Sequence, residues 1–204
     1  GTGLTTIGND GTLQIGNGTA SGSLGNLSSV VLNGTLAFNQ ASGSVTNVSQ
    51  AISGIGSLSQ LGVGSTVVLT GNNTYSGTTN ISAGTLIVNG SLSDSMIVNI
   101  SNTGNYTVSS SDTIGSFTGN GRIYLAAGST LTAFGDNSSA VFSGSIFGGG
   151  DLVKMGSGML TITQSNIYEG TTTINNGTVT LRSSGTLGSG QVTISSGGTL
   201  QIGD

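Results

Sequence analysis

Few side chains in this chain could carry out chemistry, because it contains seven Asp or Glu residues, three Lys or Arg residues and no His. Two carboxyl groups that flank a bound sugar are the arrangement that glycoside hydrolases use. The acidic pairs to consider are Asp94 with Asp112, Asp136 with Asp151, and Asp151 with Glu169. We expect instead that these acids are scattered and solvated.

The composition excludes several other kinds of site. Because His and Cys are absent, there can be no Cys/His zinc site, thiol nucleophile or serine–histidine relay. The segment 148–151, Gly-Gly-Gly-Asp, is one incomplete copy of a calcium-binding repeat that needs tandem copies, so it predicts a turn. A net charge of −4 would repel a phosphate backbone. We therefore expect no cofactor, no metal and no nucleic-acid partner.

Two tyrosines recur inside a long internal repeat, in which residues 67–88 and 160–181 are identical at 9 of 22 positions with an offset of 93. Tyr75 and Tyr168 could form a ladder for sugar stacking or receptor contact. A residue set by a repeat motif more often packs one repeat on the next, so we expect a packing role, with the neighbouring asparagines satisfying backbone groups. The repeat positions singled out are Asn73, Tyr75, Gly77, Thr78, Ile81 and Gly84, and their counterparts Asn166, Tyr168, Gly170, Thr171, Ile174 and Gly177.

The elements that must position these residues are short strands. Gly-Thr-Leu recurs from Gly11, Gly34, Gly84, Gly185 and Gly198, and apolar residues alternate after it, which is typical of strands with one buried face. The spacing indicates a period of about 22 residues, too short for a propeller blade and typical of a parallel β-helix. We therefore predict about nine stacked turns, with the long repeat equal to four of them. The acidic pairs then lie less than one turn apart and out of register, so we expect no catalytic site.

A family resemblance agrees with this prediction. Residues 71–92 (GNNTYSGTTNISAGTLIVNGSL) and 165–181 (SNIYEGTTTINNGTVTL), with the segments before them, resemble the autotransporter-associated β-strand repeat of bacterial autotransporter passenger domains. The resemblance implies an all-β, right-handed parallel β-helix, exported through a C-terminal translocator barrel of the same precursor and placed at the bacterial cell surface or secreted. We expect residues 1–204 to be one β-helical segment of a longer rod, with repeat units at about 48–92 and 142–185.

The expected function is structural and not enzymatic. We expect a rigid stalk that assists its own export by stepwise folding and serves as an adhesin or self-association surface. Its partners would be a host-cell receptor, a neighbouring bacterial cell or another copy. Because the sequence shows no aromatic or Arg cluster, we expect a flat contact face of Thr, Ser, Asn and backbone. The first alternative is a secreted toxin or host-signalling fragment. The second, which the sequence favours less, is a polysaccharide-active β-helix enzyme.

Overall fold

The computed structural model describes residues 3–203, which form 20 β-strands joined entirely by parallel pairings. The strands wind into a solenoid of about nine turns, so the prediction of an all-β parallel coil is confirmed. Each turn has three sides, called here faces 1, 2 and 3. The described residues include no helix that could cross a membrane.

The strands of one face follow each other along the coil axis. Face 1 contains β1 (Leu4–Ile7), β3 (Ser29–Leu32), β6 (Ala51–Ser53), β11 (Asp112–Thr113), β14 (Thr130–Ala133), β17 (Asp151–Lys154) and the first parts of β19 (Thr172–Leu181) and β20 (Val192–Ile202). Face 2 contains β2 (Thr12–Ile15), β4 (Thr35–Phe38), β7 (Ser57–Gln60), the first parts of β9 (Thr79–Val88) and β10 (Ile97–Val108), β12 (Ser116–Gly119), β15 (Ala140–Phe142), β18 (Met159–Ile162) and the ends of β19 and β20. Face 3 contains β5 (Val45–Val48), β8 (Thr66–Leu69), the ends of β9 and β10, β13 (Arg122–Leu125) and β16 (Ser145–Gly148).

Paired residues in successive coils are not evenly spaced in sequence. The interval is shortest between Asn105 and Arg122 and longest between Leu4 and Ser29. The backbone register holds while the loops at the corners absorb the difference. The predicted period of about 22 residues is therefore an average over unequal coils.

The core is a narrow column of inward-pointing side chains. Along face 2, Leu36 stacks on Leu58 in the next coil, and both are completely buried. Farther along, Phe117 makes edge-on ring contacts with Phe134 and Phe142, at centroid distances of 5.1 and 5.2 Å. Aromatic pairs prefer this geometry. The apolar faces that alternate in the sequence thus line one continuous interior.

Glycines stack where the chain turns between faces. A Cβ atom on Gly56 would lie 2.2 Å from the carbonyl oxygen of Gly34, and one on Gly77 would lie 2.2 Å from that of Gly56. Gly150, Gly170 and Gly190 repeat this arrangement at another corner, with distances of 2.1 Å. These corners need glycine because two coils approach closely there. The high glycine content of the chain follows in part from this stacking.

The long internal repeat does not span four turns, so that prediction is wrong. Ile81 stacks through Ile100, Gly119, Phe142 and Ile162 to Leu181, which makes five coils. Ile174 precedes Leu181 by one face on the same strand. The two copies are therefore four and two-thirds turns apart and occupy different faces, because several coils are shorter than the average period.

Asp112 lies in the interior beside the middle coils, with 7% of its surface exposed. The amide N–H of Leu92 donates to both of its carboxyl oxygens at 3.2 Å. The buried hydroxyl of Tyr106 lies close to this carboxyl group without meeting the geometry of a full hydrogen bond. Burial raises the pKa of Asp112 to about 6, in spite of backbone N–H groups that lower it. The expectation that the acids are all solvated is wrong for this residue.

We predict that Gly77→Ala destabilises the coil by about 1 to 3 kcal/mol, because the added methyl group would overpack the corner against Gly56. The matched control is Gly135→Ala, where a Cβ atom would have nothing within 4 Å. Its free energy of unfolding should change by less than about 0.5 kcal/mol. Denaturant unfolding of both variants measures this, and equal stabilities would contradict the close stacking of the corners.

We also predict that Asp112 makes the fold less stable as the pH rises. Its pKa is about 6 in the folded chain and about 4 when unfolded, so the folded state binds the proton more tightly. The resulting stabilisation, about 2 to 3 kcal/mol, is complete below about pH 4 and is lost as the pH passes 6.

Asp112→Asn should therefore be more stable than the parent chain at pH 7.5 and about equal to it at pH 4, as measured by urea unfolding at both pH values. Glu169→Gln, at an exposed position, is the control and should leave the pH profile of the parent unchanged. A profile for Asp112→Asn parallel to that of the parent would show that the carboxyl group is ionised freely in the fold.

Candidate interaction surface

The repeated asparagines join three successive coils. The side-chain oxygen of Asn73 accepts a bond from Ile52 N at 3.3 Å, and its amide nitrogen donates to Gly71 O at 2.9 Å and Ser91 O at 3.1 Å. Asn166 does the same, accepting from Ile146 N and donating to the carbonyl oxygens of Gln164 and Thr186. Both side chains are buried. They hold the backbone together and present nothing to a ligand.

The repeated tyrosines lie inside the coil. Tyr75 and Tyr168 are completely buried, and their hydroxyl groups bond to the Oγ1 atoms of Thr79 and Thr172, at 2.7 and 2.5 Å. Burial raises the pKa of both hydroxyls above the ordinary value for tyrosine. Neither ring can stack on a sugar or contact a receptor.

The other repeat positions serve the same packing. Ile81 and Ile174 are completely buried, and Gly84 and Gly177 have positive φ angles of 66° and 68°. Gly77 and Gly170 belong to the glycine corners already described. The carbonyl oxygen of Thr78 accepts from Leu58 N at 3.1 Å. In the second copy, Asp151 accepts bonds from the amide and hydroxyl of Thr171, at 2.6 and 2.9 Å.

Two acids that the sequence did not pair lie in one groove. Asp94 and Asp136 line a groove of about 510 Å³ together with residues 72–74, 91–93, 95 and 135. Asp94 is also an electrostatic neighbour of Asp112, but the carboxyl group of Asp112 is buried on the inner side. Within residues 3–203, no group of three or more acidic, His or Cys residues could hold a metal ion.

Lys154 is a cation in the core. It is 1% exposed, lies 5.4 Å from the ring centre of Phe134, and donates to the carbonyl oxygens of Met155, Gly156 and Asn176. Desolvation lowers its pKa, while Asp136 acts in the opposite direction. This amino group ties two coils together and is not available to a ligand.

An outward-facing ladder of apolar side chains runs along face 3. Tyr124 pairs with Phe147, their rings 5.3 Å apart. The amide of Ile167 bonds to the carbonyl of Ile146 at 3.0 Å, which places Ile167 beside Phe147 in the following coil. Tyr124 is 37% exposed and Ile167 is 71% exposed. The expectation of a surface without an aromatic cluster is wrong.

A column of polar residues runs beside the ladder, two positions earlier in each coil. Arg122 pairs with Ser145, and these two residues, with Ser165, Phe147 and Ile167, line a shallow groove of about 340 Å³. Arg122 is exposed, and the structure shows no ion pair between it and another described residue. We call these five residues, together with the ring of Tyr124 that adjoins Phe147, the face 3 groove.

Sequence reasoning missed this groove because its residues come from three coils. The signal was present: Tyr124 follows the inward-facing Ile123, and Phe147 follows the inward-facing Ile146 in the strand one coil later. Two aromatic residues in the same phase of strands one period apart must stack on the outer surface. The pairing of those two strands was needed to see it.

Comparisons with known proteins agree with this architecture. Residues 64–88 and 152–181 match the passenger-associated-transport-repeat family. The chain is also 33% identical over 131 residues to a protein of Brucella suis biovar 1 (strain 1330) named adhesin BmaC autotransporter. That match covers 56% of this chain and 4% of the relative, so the chain spans a small part of the relative's length. No solved structure matches the chain significantly.

The fold and the comparisons agree with each other. The coil is an all-parallel solenoid, two of its segments match the passenger-associated-transport-repeat family, and one relative is named an adhesin autotransporter. The chain is therefore similar to repeat-bearing parts of autotransporter passenger domains, and this similarity implies a protein that is displayed on the bacterial surface or secreted.

Proposed function

We propose that this segment is a non-enzymatic, rigid stalk that carries an adhesive contact surface on face 3. The observation that carries this proposal is the outward-facing ladder beside Arg122, in which Tyr124 and Ile167 are exposed and Phe147 is half-buried. Aromatic and Arg side chains dominate binding energy at protein contacts. The name of the curated relative, an adhesin, supports the same role.

The stalk part of the proposal rests on how the coils are joined. Strands on all three faces pair with the preceding and following coils, and buried side chains run through the interior without a break. A solenoid built this way resists bending because each coil contacts its neighbours on every side. It would hold a contact surface at a fixed distance from the cell.

Assistance to export follows from the same pairing. Partner residues in the sheets are separated by one coil of chain, as Asn105 and Arg122 are, so no coil needs a distant part of the chain to fold. Each coil that emerges from the C-terminal translocator barrel of the same precursor could therefore fold on the coil before it. Folding outside the cell would then favour further transport.

Cleavage of polysaccharide is the rival function, and the position of Asp112 argues against it. Asp112 lies near the groove of Asp94 and Asp136, and its raised pKa, about 6, would suit a general acid. Asp112 is 7% exposed, and its carboxyl group accepts an N–H from Leu92 inside the coil. A polymeric substrate could not reach it without opening the coil.

We predict that the triple variant Tyr124→Thr, Phe147→Thr, Ile167→Thr reduces adhesion of displaying cells at least fivefold, because it removes the apolar contact. The partner would be a host-cell surface or a neighbouring bacterial cell. Adhesion to host cells and cell-to-cell aggregation are both measured with the full-length precursor, and antibody labelling measures display. Thermal unfolding of the purified segment should show little change, since the positions lie on the surface.

The control variant changes three exposed apolar residues elsewhere, Ile55→Thr, Val63→Thr and Val141→Thr, which are 69%, 71% and 51% exposed. Its adhesion should stay within about twofold of the parent. Equal adhesion of the two variants would contradict a contact through face 3. Release of sugars by the purified segment, abolished by Asp112→Asn, would establish the enzyme in its place. A response of host cells to the soluble segment would favour the signalling alternative.

A further inference from the structure

We propose that the face 3 groove binds the internal part of a linear polysaccharide that carries occasional carboxylate groups. This inference rests on the proposed adhesive function and names the chemistry of what is bound.

The size of the apolar ladder favours a slender ligand over a protein. Its three side chains come from successive coils, and with coils about 4.8 Å apart it is roughly 10 Å long. The ladder begins at Tyr124, because the residue that pairs with Tyr124 in the preceding coil is Thr107. A stable protein interface buries about 800 Å² on each partner, with a central apolar part. A ladder of three side chains, two of which line a groove of about 340 Å³, fits a few sugar rings better.

The groups in the groove match the two surfaces of a sugar ring. The backbone of β13 and β16 is engaged in pairing between coils, so only side chains can contact a ligand. The rings of Tyr124 and Phe147 offer flat apolar surfaces, on which the C–H faces of sugars can lie. The hydroxyls of Ser145 and Ser165, on the adjacent column, can bond to sugar hydroxyls. The ladder runs along the coil axis, which favours a chain of sugars over one terminal residue.

The charge of the groove favours a ligand that carries a carboxylate, and the negative charge of the chain limits how many carboxylates the ligand can carry. The guanidinium of Arg122 has the planar donor geometry that binds a carboxylate with two hydrogen bonds. It is one of only three basic residues in a chain of net charge −4, and the exposed Glu169 lies two positions beyond Ile167 in the sequence, where its N–H bonds to the carbonyl of Gly148. A densely sulfated chain would therefore be repelled. A polysaccharide with one carboxylate for every two sugars meets one Arg and avoids most of the repulsion.

The test measures binding of hyaluronan oligosaccharides, whose uronate alternates with a neutral sugar, to the purified chain by calorimetry and ligand-observed NMR. We expect weak binding of a single site, strengthened by multivalency on longer chains. Neutral chitotetraose should bind at least fivefold more weakly, because it cannot pair with Arg122. Sialyllactose and heparin test a terminal acidic sugar and a densely charged chain, and both should bind more weakly than the hyaluronan fragment.

Variants separate the contributions. Arg122→Gln should weaken hyaluronan binding about tenfold and leave chitotetraose binding within twofold. Tyr124→Thr and Phe147→Thr should weaken the binding of both sugars, because both use the aromatic surface. The controls are Arg182→Gln, which makes the same charge change elsewhere, and Val63→Thr, which removes another exposed apolar side chain. Raising the salt concentration from about 50 to about 500 mM should weaken hyaluronan binding and spare chitotetraose.

Three results would overturn the inference: hyaluronan binding that Arg122→Gln leaves unchanged, no binding of hyaluronan at millimolar concentration, or tighter binding of heparin or sialyllactose. Self-association of the chain that Tyr124→Thr and Phe147→Thr abolish would instead identify a second copy as the occupant. In each of these cases, loss of cell adhesion in the triple variant would still support the adhesive surface. Failure of the inference is therefore distinguishable from failure of the proposed function.

Discussion

The structure depends on one constraint, the stacking of backbone on backbone in parallel register at every coil. Once the coils are hydrogen-bonded to each other on three faces, their spacing is set by the strand-to-strand distance of about 4.8 Å. Corners that approach this closely leave no room for a Cβ atom, as between Gly56 and Gly77. Buried asparagines such as Asn73 complete the corners by bonding to the coils above and below. The glycine and asparagine of the repeat thus serve the stacking itself.

The same constraint divides the chain into an inside and an outside with different tasks. Inward positions can hold even charged groups where the backbone supplies partners, as it does for Lys154 and Asp112. Side chains at outward positions do not pack in the core, so most of them are small and polar. The ladder of Tyr124, Phe147 and Ile167 departs from this pattern. Tyr124 and Ile167 are exposed and Phe147 is half-buried. Outward side chains of this size on three successive coils contribute little to the core, which is why we relate them to adhesion.

Much of the fold could be predicted from the sequence because its signals are local. Alternation of apolar residues after Gly-Thr-Leu indicates short strands, and a period of about 22 residues indicates a coil. The predictions that were wrong concern features that depend on how the coils are aligned with each other. The copies of the repeat lie on different faces because coils such as the one between Asn105 and Arg122 are short. The inward position of Lys154 was readable, since it shares the phase of Leu152, but its three carbonyl partners come from the folded corner. The face 3 groove required the pairing of β13 with β16.

We propose that this segment meets its partner through face 3, and photo-crosslinking can test that contact on displaying cells. Val141 and Phe147 belong to the same coil but lie on faces 2 and 3, so a crosslinking amino acid at either position samples one face at the same distance from the cell. The measurement replaces each residue in turn with p-benzoylphenylalanine in the displayed full-length precursor and irradiates adherent cells. We predict crosslinked partner material from position 147 and little from position 141. Equal crosslinking from both positions, or crosslinking from 141 alone, would contradict it.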